Sequence, residues 1–347
     1  MKSNVAITHI GKKLLNKSPT IKLKSAPSLS KYIGGISNGE YILLIGATGT
    51  SKTRICLRLF VLDVVDFVKN NIHNNIDVEI AYFSLELSAV RIYLNIICAL
   101  LHEKTGNDYC IDYFENKLED NKLTEHIYEE IRIIQDELNF LDTKLTVYDN
   151  YFQPKTIYNV IHKEILLKNG IFVNNIYTKH NENKQVIIII DTINALRAEL
   201  GKSEYDCIKN FSEEICKQRL KMQFDCTIIC VQQTDKSSTT VLFNNRGEKV
   251  EDKFTPKLEN LAKVKTTPDD ASLVLSIFSP FRYDIQHYEG YNINDFGNDF
   301  RYLKILKNTN GDENIGKAVK INNPHLFIKE LPLAKELNQQ KTKRLLR

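Results

Sequence analysis

Short apolar runs alternate with longer amphipathic stretches along most of this chain. Tyr41–Ile45, Val78–Phe83, Leu145–Tyr148, Val186–Ile190, Thr227–Val231 and Leu273–Phe278 read as strands. Between them Thr53–Val68, Ala89–His102, Lys122–Leu141, Thr156–Leu167 and Tyr205–Met222 repeat apolar residues at helical spacing. Such alternation predicts an α/β fold, a mainly parallel central sheet flanked by helices with right-handed crossovers. The unbroken run Val186-Ile-Ile-Ile-Ile190 suits a strand covered on both faces. Phe300–Ile321 reads as a C-terminal β-hairpin turning near Asn310-Gly311. Tyr177–Lys184 and Asp235–Lys257 read as loops.

Three parts are expected: a basic N-terminal arm over residues 1–27 with a short helical pattern at Ala6–Leu15, an α/β domain over 28–333, and a basic tail over 334–347. With 42% hydrophobic and 26% charged residues the chain has the composition of an ordinary globular protein. Neither a membrane-length apolar run nor a signal-peptide core is seen, so a cytoplasmic protein without a membrane partner is expected. Seven cysteines lie scattered through apolar segments without CxxC spacing, which predicts reduced core thiols. The histidines are far apart in sequence, which speaks against a His/Cys metal site. A net charge of only +4 permits nucleic-acid binding without requiring it.

Directly behind Tyr41–Ile45 stands Gly46-Ala47-Thr48-Gly49-Thr50-Ser51-Lys52-Thr53. It matches the phosphate-binding loop G-x-x-x-x-G-K-[ST] except that Ser51 replaces the second glycine. Backbone N–H groups of such a turn, with the start of the following helix, form a cradle for polyphosphate. Lys52 would reach the β- and γ-phosphates of ATP and the Thr53 hydroxyl would hold Mg²⁺. With helical dihedrals Ser51 would still present its N–H; a positive φ there would make it costly.

A second acidic group is needed for Mg²⁺, and Val186-Ile-Ile-Ile-Ile-Asp191 ends a buried strand in one. Ligands gather at the carboxyl ends of such strands, so Asp191 and the loop after Ile45 should meet. Glu86, just beyond the strand Val78–Phe83, is placed to act as general base. Thr227-Ile-Ile-Cys-Val-Gln232-Gln233 ends in two amides, of which Gln232 is expected to hydrogen-bond the γ-phosphate.

The ordered set of Ser84-Leu-Glu-Leu-Ser88, these strand ends and Lys304-Ile-Leu-Lys-Asn-Thr-Asn-Gly311 resembles the RecA-like motor domain of DnaB-type replicative DNA helicases. The resemblance runs from about Ser28 to Pro332 and includes Leu145-Thr-Val-Tyr-Asp149 and Ser279-Pro-Phe-Arg282. The family's N-terminal primase-binding domain has no counterpart in this sequence, as in a minimal, phage-like version. The resemblance implies an ATP- and Mg²⁺-dependent helicase translocating on single-stranded DNA as a homo-hexameric ring, with a primase or helicase loader as a partner. Lys52 and Thr53 match the phosphate and Mg²⁺ pair, Glu86 the catalytic glutamate, Asp191 the Walker-B aspartate, and Gln232 the glutamine that senses γ-phosphate. Lys307 matches the lysine that completes a neighbouring subunit's site. A channel loop carrying Lys236, Arg246 and Lys249 would contact DNA phosphates.

Thr309 departs from that pattern, because the family places its arginine finger there and threonine carries no charge to stabilise the transferring phosphoryl group. Arg301 precedes Lys307 by six residues, about 20 Å at ~3.3 Å per residue. Lys317, expected across the hairpin, is the proposed substitute. Slow turnover follows, and two alternatives remain open: a weakly hydrolysing or inactive nucleotide-gated DNA-binding scaffold, and another RecA-family ATPase of the recombinase kind.

Overall fold

A computed structural model of the chain describes residues 20–117, 125–174, 176–235, 255–259, 261 and 263–337. In chain order the strands are β1 (Tyr41–Gly46), β2 (Asp77–Ser84), β3 (Leu145–Tyr148), β4 (Gly170–Val173), β5 (Ile176–Lys179), β6 (Lys184–Asp191), β7 (Thr227–Gln233) and β8 (Leu273–Phe278), then β9 (His287–Tyr288), β10 (Tyr291–Asn292), β11 (Phe300–Asn308), β12 (Gly316–Asn322) and β13 (Phe327–Glu330). Nine of them form one sheet in the order β13-β12-β11-β8-β1-β7-β6-β2-β3. From β8 to β3 every pairing is parallel; β8, β11, β12 and β13 pair antiparallel.

Strand alternation divides the interior into two layers. Ile42, Leu44, Ile80, Tyr82, Ile187 and Ile189 face one core. Tyr41, Leu43, Ile45, Phe83, Ile188 and Ile190 face the other. Each strand is therefore apolar at consecutive positions, as a doubly covered sheet requires.

Helix α1 is Pro27–Tyr32, and α2 (Lys52–Leu57) continues through a π-helical stretch, Arg58–Leu62, into α3 (Asp63–Asn70). Asp63 is buried in this helix and binds back to Ser25, accepting from its N–H at 2.8 Å and its hydroxyl at 2.7 Å. That tie explains a correction: Ile21, Leu23 and Ala26, expected in the arm, lie buried in the main core. The Ala6–Leu15 pattern lies outside the described residues.

Helix α4 (Ala89–Thr105) begins where the Ser88 hydroxyl accepts the Arg91 N–H, and it ends at Gly106, whose φ of +75° suits glycine. A short helix, α5 (Ile111–Phe114), follows. The single helix expected over Lys122–Leu141 is instead α6 (His126–Ile133) and α7 (Gln135–Asp142), broken at Ile134, where φ is −102° and ψ is 8°. Tyr177–Lys184 is not wholly a loop, because Ile176–Lys179 pairs with Gly170–Val173 in an antiparallel hairpin. The remaining helices used below are α8 (Glu204–Asn210) and α9 (Thr267–Asp270). Among the described residues no helix is long and apolar enough to cross a membrane. The cysteines are free, and all but the half-buried Cys110 are buried.

Candidate nucleotide site

Parallel register gathers the site. Gly46 is level with Gln233, Ser84 with Asp191, and Asp191 with Val231, so the ends of β1, β2, β6 and β7 share one sheet edge. A cleft of about 580 Å³ opens there, lined among others by Thr48, Lys52, Thr53, Glu86, Asp191 and Gln233.

The Gly46–Thr53 turn curls over its own carbonyls. The Ala47 carbonyl accepts from Thr50 Oγ1 and from Lys52 Nζ, both at 2.8 Å. A Cβ at Gly46 would fall 2.7 Å from Thr50 Oγ1 and 2.9 Å from the Ile277 carbonyl oxygen, so that position demands glycine. Gly49 has φ +76°. Ser51 has φ 72° and ψ 28°, so the backbone is left-handed rather than helical there, and the substitution for glycine is strained. What the serine gains is a partner. Arg301 of β11, 1% exposed, donates from Nε to the Thr50 carbonyl and from Nη2 to Ser51 Oγ, both at 3.2 Å. Burial and the nearby Arg282 lower the Arg301 pKa to about 10.

The acidic groups sit opposite the loop. Tyr82 donates to Asp191 Oδ2 at 2.6 Å, and the Thr53 hydroxyl also bonds this carboxylate. Burial raises the Asp191 pKa against the lowering effects of Tyr82, Thr53 and Lys52. Glu86 is raised first by burial and then by Asp191, with Lys52 opposing. Lys52 itself is lowered to about 8 by burial, although Asp191 and Glu86 pull it up. The four groups thus form one electrostatic unit, in which a hydroxyl and a carboxylate already in contact offer the oxygen donors that Mg²⁺ prefers. A cis peptide bond joins Asp191 to Thr192.

Gln232 does not reach this cleft. Its amide donates to the Val264 carbonyl at 2.9 Å and accepts from Thr267 Oγ1 at 2.6 Å, wholly buried. Side chains alternate along a strand, so the next residue faces the cleft instead. Gln233 donates to Glu86 Oε1 at 3.2 Å, and its own oxygen is 3.4 Å from Thr48 Oγ1. Its backbone N–H bonds Asn194 Oδ1 at 2.6 Å. The amide joining the catalytic glutamate to the phosphate loop is therefore Gln233. Two adjacent glutamines signalled the function; strand parity, which the sequence left open, picks the residue.

At the far end of the sheet, Lys307 donates to the carbonyls of Pro268 and Asp269 at 2.7 and 3.3 Å. Thr309 spends both its N–H and its hydroxyl on the Ser272 carbonyl, at 2.9 and 3.2 Å. Lys317 does not stand beside it: its strand partner is Leu303, and its ammonium lies 5.6 Å from the centre of the Tyr32 ring. The expected substitute is thus turned elsewhere. Arg301 and Arg282, which the sequence did not assign, lie beside the phosphate loop of their own chain, Arg282 3.3 Å from the Gly49 carbonyl. Lys236, Arg246 and Lys249 lie outside the described residues.

No protein-family model matches the sequence, and no curated protein matches it. Among solved structures the fold is similar to that of a helicase ATPase domain, with 14% identity and a TM-score of 0.66 over 95% of this chain and 99% of that one. It is also similar to a DnaB-like replicative helicase described with its interactions with primase, at 14% identity and a TM-score of 0.64 over 94% of this chain and 68% of that one. The chain has the RecA-type P-loop ATPase fold of these DnaB-like domains, with a C-terminal antiparallel extension.

Proposed function

We propose that this protein is a DnaB-like, ATP-driven DNA helicase motor that works as a homo-hexameric ring on single-stranded DNA. The observation that carries the reading is the meeting of Lys52, Thr53, Glu86 and Asp191 in one cleft, in a chain whose fold spans 99% of a solved helicase ATPase domain. ATP is the substrate. On its arrival the Lys52 ammonium would exchange the Ala47 carbonyl for phosphate oxygens, helped by the N–H groups of the loop. Thr53 and Asp191 would hold Mg²⁺, which supplies charge neutralisation on the phosphates when bound. Glu86 would orient and deprotonate the attacking water, its raised pKa improving its strength as a base. Gln233, bonded to both Glu86 and the loop side of the cleft, would register loss of the γ-phosphate.

Subunit geometry supports an active site shared between neighbours. β11 runs antiparallel to β8, so Asn308 is level with Leu273, at the sheet edge opposite the phosphate loop. Lys307 therefore faces away from its own cleft and is available to a neighbouring one. The Thr267–Asp269 segment touches both the Gln232 amide and Lys307, which gives a short covalent path between the strand end at the cleft and the intersubunit lysine. A primase or helicase loader, cytoplasmic location and phosphate contacts from Lys236, Arg246 and Lys249 belong to the same proposal.

A second reading, a weakly hydrolysing nucleotide-gated scaffold, is favoured by one observation: Thr309 is uncharged and engaged with Ser272. A strand-displacement assay comparing wild type with Lys52→Ala decides between them. Unwinding lost in Lys52→Ala supports the motor; ATP binding without unwinding by the wild type supports the scaffold.

A further inference from the structure

His102, in the last turn of α4, and His325, in the turn between β12 and β13, come from opposite ends of the chain and meet at Asp108. We propose that these three residues bind one divalent transition ion of the zinc class, which pins the end of α4 to the β12–β13 turn. His102 Nδ1 lies 2.9 Å and His325 Nε2 3.4 Å from the same oxygen, Asp108 Oδ1. All three donor atoms lie within 4.8 Å of one another. Ligands about 2.0–2.1 Å from a tetrahedral ion stand roughly 3.3 Å apart, so the present spacing is close to that of a bound set. Two imidazoles and one carboxylate form a donor set suited to zinc, cobalt or nickel, and unlike the all-oxygen sets of magnesium and calcium. Three protein ligands leave one coordination position for water.

The cluster is poorly satisfied without an ion. The contact between His102 Nδ1 and Asp108 lacks hydrogen-bond geometry, and that nitrogen is buried. His325 is only 5% exposed, yet its ring is stacked on His102 with centroids 4.5 Å apart and planes 15° apart. Burying two stacked imidazoles beside one carboxylate costs desolvation that a shared cation would offset. Turning the rings slightly out of this stack lets both lone pairs meet the ion. Phe327 packs edge-on against His102 and closes one side.

The position gives the ion a consequence. Asn323 and Pro324, just before His325, and Ile111 and Asp112, soon after Asp108, line the nucleotide cleft. An ion at the cluster would stiffen the two segments that form this wall.

The test uses the full chain, stripped with a chelator and kept free of nucleotide and Mg²⁺. Co²⁺ titration followed by visible ligand-field bands, with Zn²⁺ competition, should show one ion per chain. Asp108→Asn and His102→Gln should each weaken binding at least ~10-fold, while Lys52→Ala leaves it intact. Asp108 is 70% exposed as a side chain, so its variant should match the wild-type melting temperature in chelator and lose only the Zn²⁺-induced rise. Absence of binding, or binding by Asp108→Asn and His102→Gln equal to that of the wild type, overturns the site. None of these readouts involves ATP, so failure here is distinguishable from failure of the helicase reading.

Discussion

Replacing Ser51 and Arg301 singly and together tests how this phosphate loop dispenses with its second glycine. Left-handed backbone costs a non-glycine residue roughly 1–2 kcal/mol, which Ser51→Gly would relieve. The same change removes the hydroxyl that accepts from Arg301 Nη2 at 3.2 Å. A hydrogen bond to a charged partner contributes about 1.5–3 kcal/mol, the lower end being appropriate at this length. The two effects nearly cancel, so Ser51→Gly should leave stability within ~1 kcal/mol of wild type. Arg301→Gln loses the bonds to the Thr50 carbonyl and Ser51 together, at a buried position, and should cost about 2–3 kcal/mol. In the Ser51→Gly background that cost should fall by about 1 kcal/mol, because one of the lost bonds is already gone. Urea unfolding gives the stabilities, and calorimetric ADP titration gives the parallel result, a coupling of about fivefold in Kd. Equal costs of Arg301→Gln in both backgrounds, within ~0.3 kcal/mol, would refute the clamp.

Gln233→Ala should lower ATP turnover by ~10-fold or more with little effect on folding, since its amide faces the cleft. Gln232→Ala should do the reverse, destabilising by about 1–3 kcal/mol because the Val264 carbonyl and Thr267 hydroxyl lose a buried partner; urea unfolding and steady-state ATPase assays separate the two. Asp191→Asn should abolish Mg²⁺-dependent hydrolysis yet stabilise the nucleotide-free protein at neutral pH. A folded-state carboxyl pKa raised by burial means that the folded protein holds its proton more tightly, so Asp191 lowers stability as pH climbs past its unfolded value; the gain from Asn should vanish in acid, as read from melting temperatures across pH. Thr309→Arg should raise DNA-stimulated ATPase activity ~10-fold or more if a neighbouring subunit's site accepts the restored charge.

Strand positions were legible because a sheet covered on both faces writes itself as consecutive apolar residues: β3 occupies Leu145–Tyr148 as read, and β1 and β2 extend the read segments by one residue at an end or at each end. The Gly106 cap lets α4 run to Thr105, past the expected His102. The β4–β5 hairpin was hidden because its side chains are largely exposed, so no alternating pattern of burial marks it. β13 is a four-residue edge strand whose pairing with β12 depends on tertiary placement. In the site, motif chemistry identified Lys52, Thr53, Glu86 and Asp191 because each stands at or just beyond a strand end. It could not fix the side-chain parity that selects Gln233. Nor could it foresee that antiparallel β11 returns Arg301 to the phosphate loop while carrying Lys307 to the opposite edge. The histidines looked isolated for the same reason: only the folded chain brings His325 to His102.

The central claim is most directly tested by single-turnover hydrolysis of γ-labelled ATP, with Mg²⁺ and single-stranded DNA, in wild type and Glu86→Gln. The account predicts DNA-stimulated phosphate release by the wild type and a loss of ~100-fold or more in Glu86→Gln, with ATP affinity retained. Equal rates in the two proteins, or no release by the wild type although ATP binds, would contradict it.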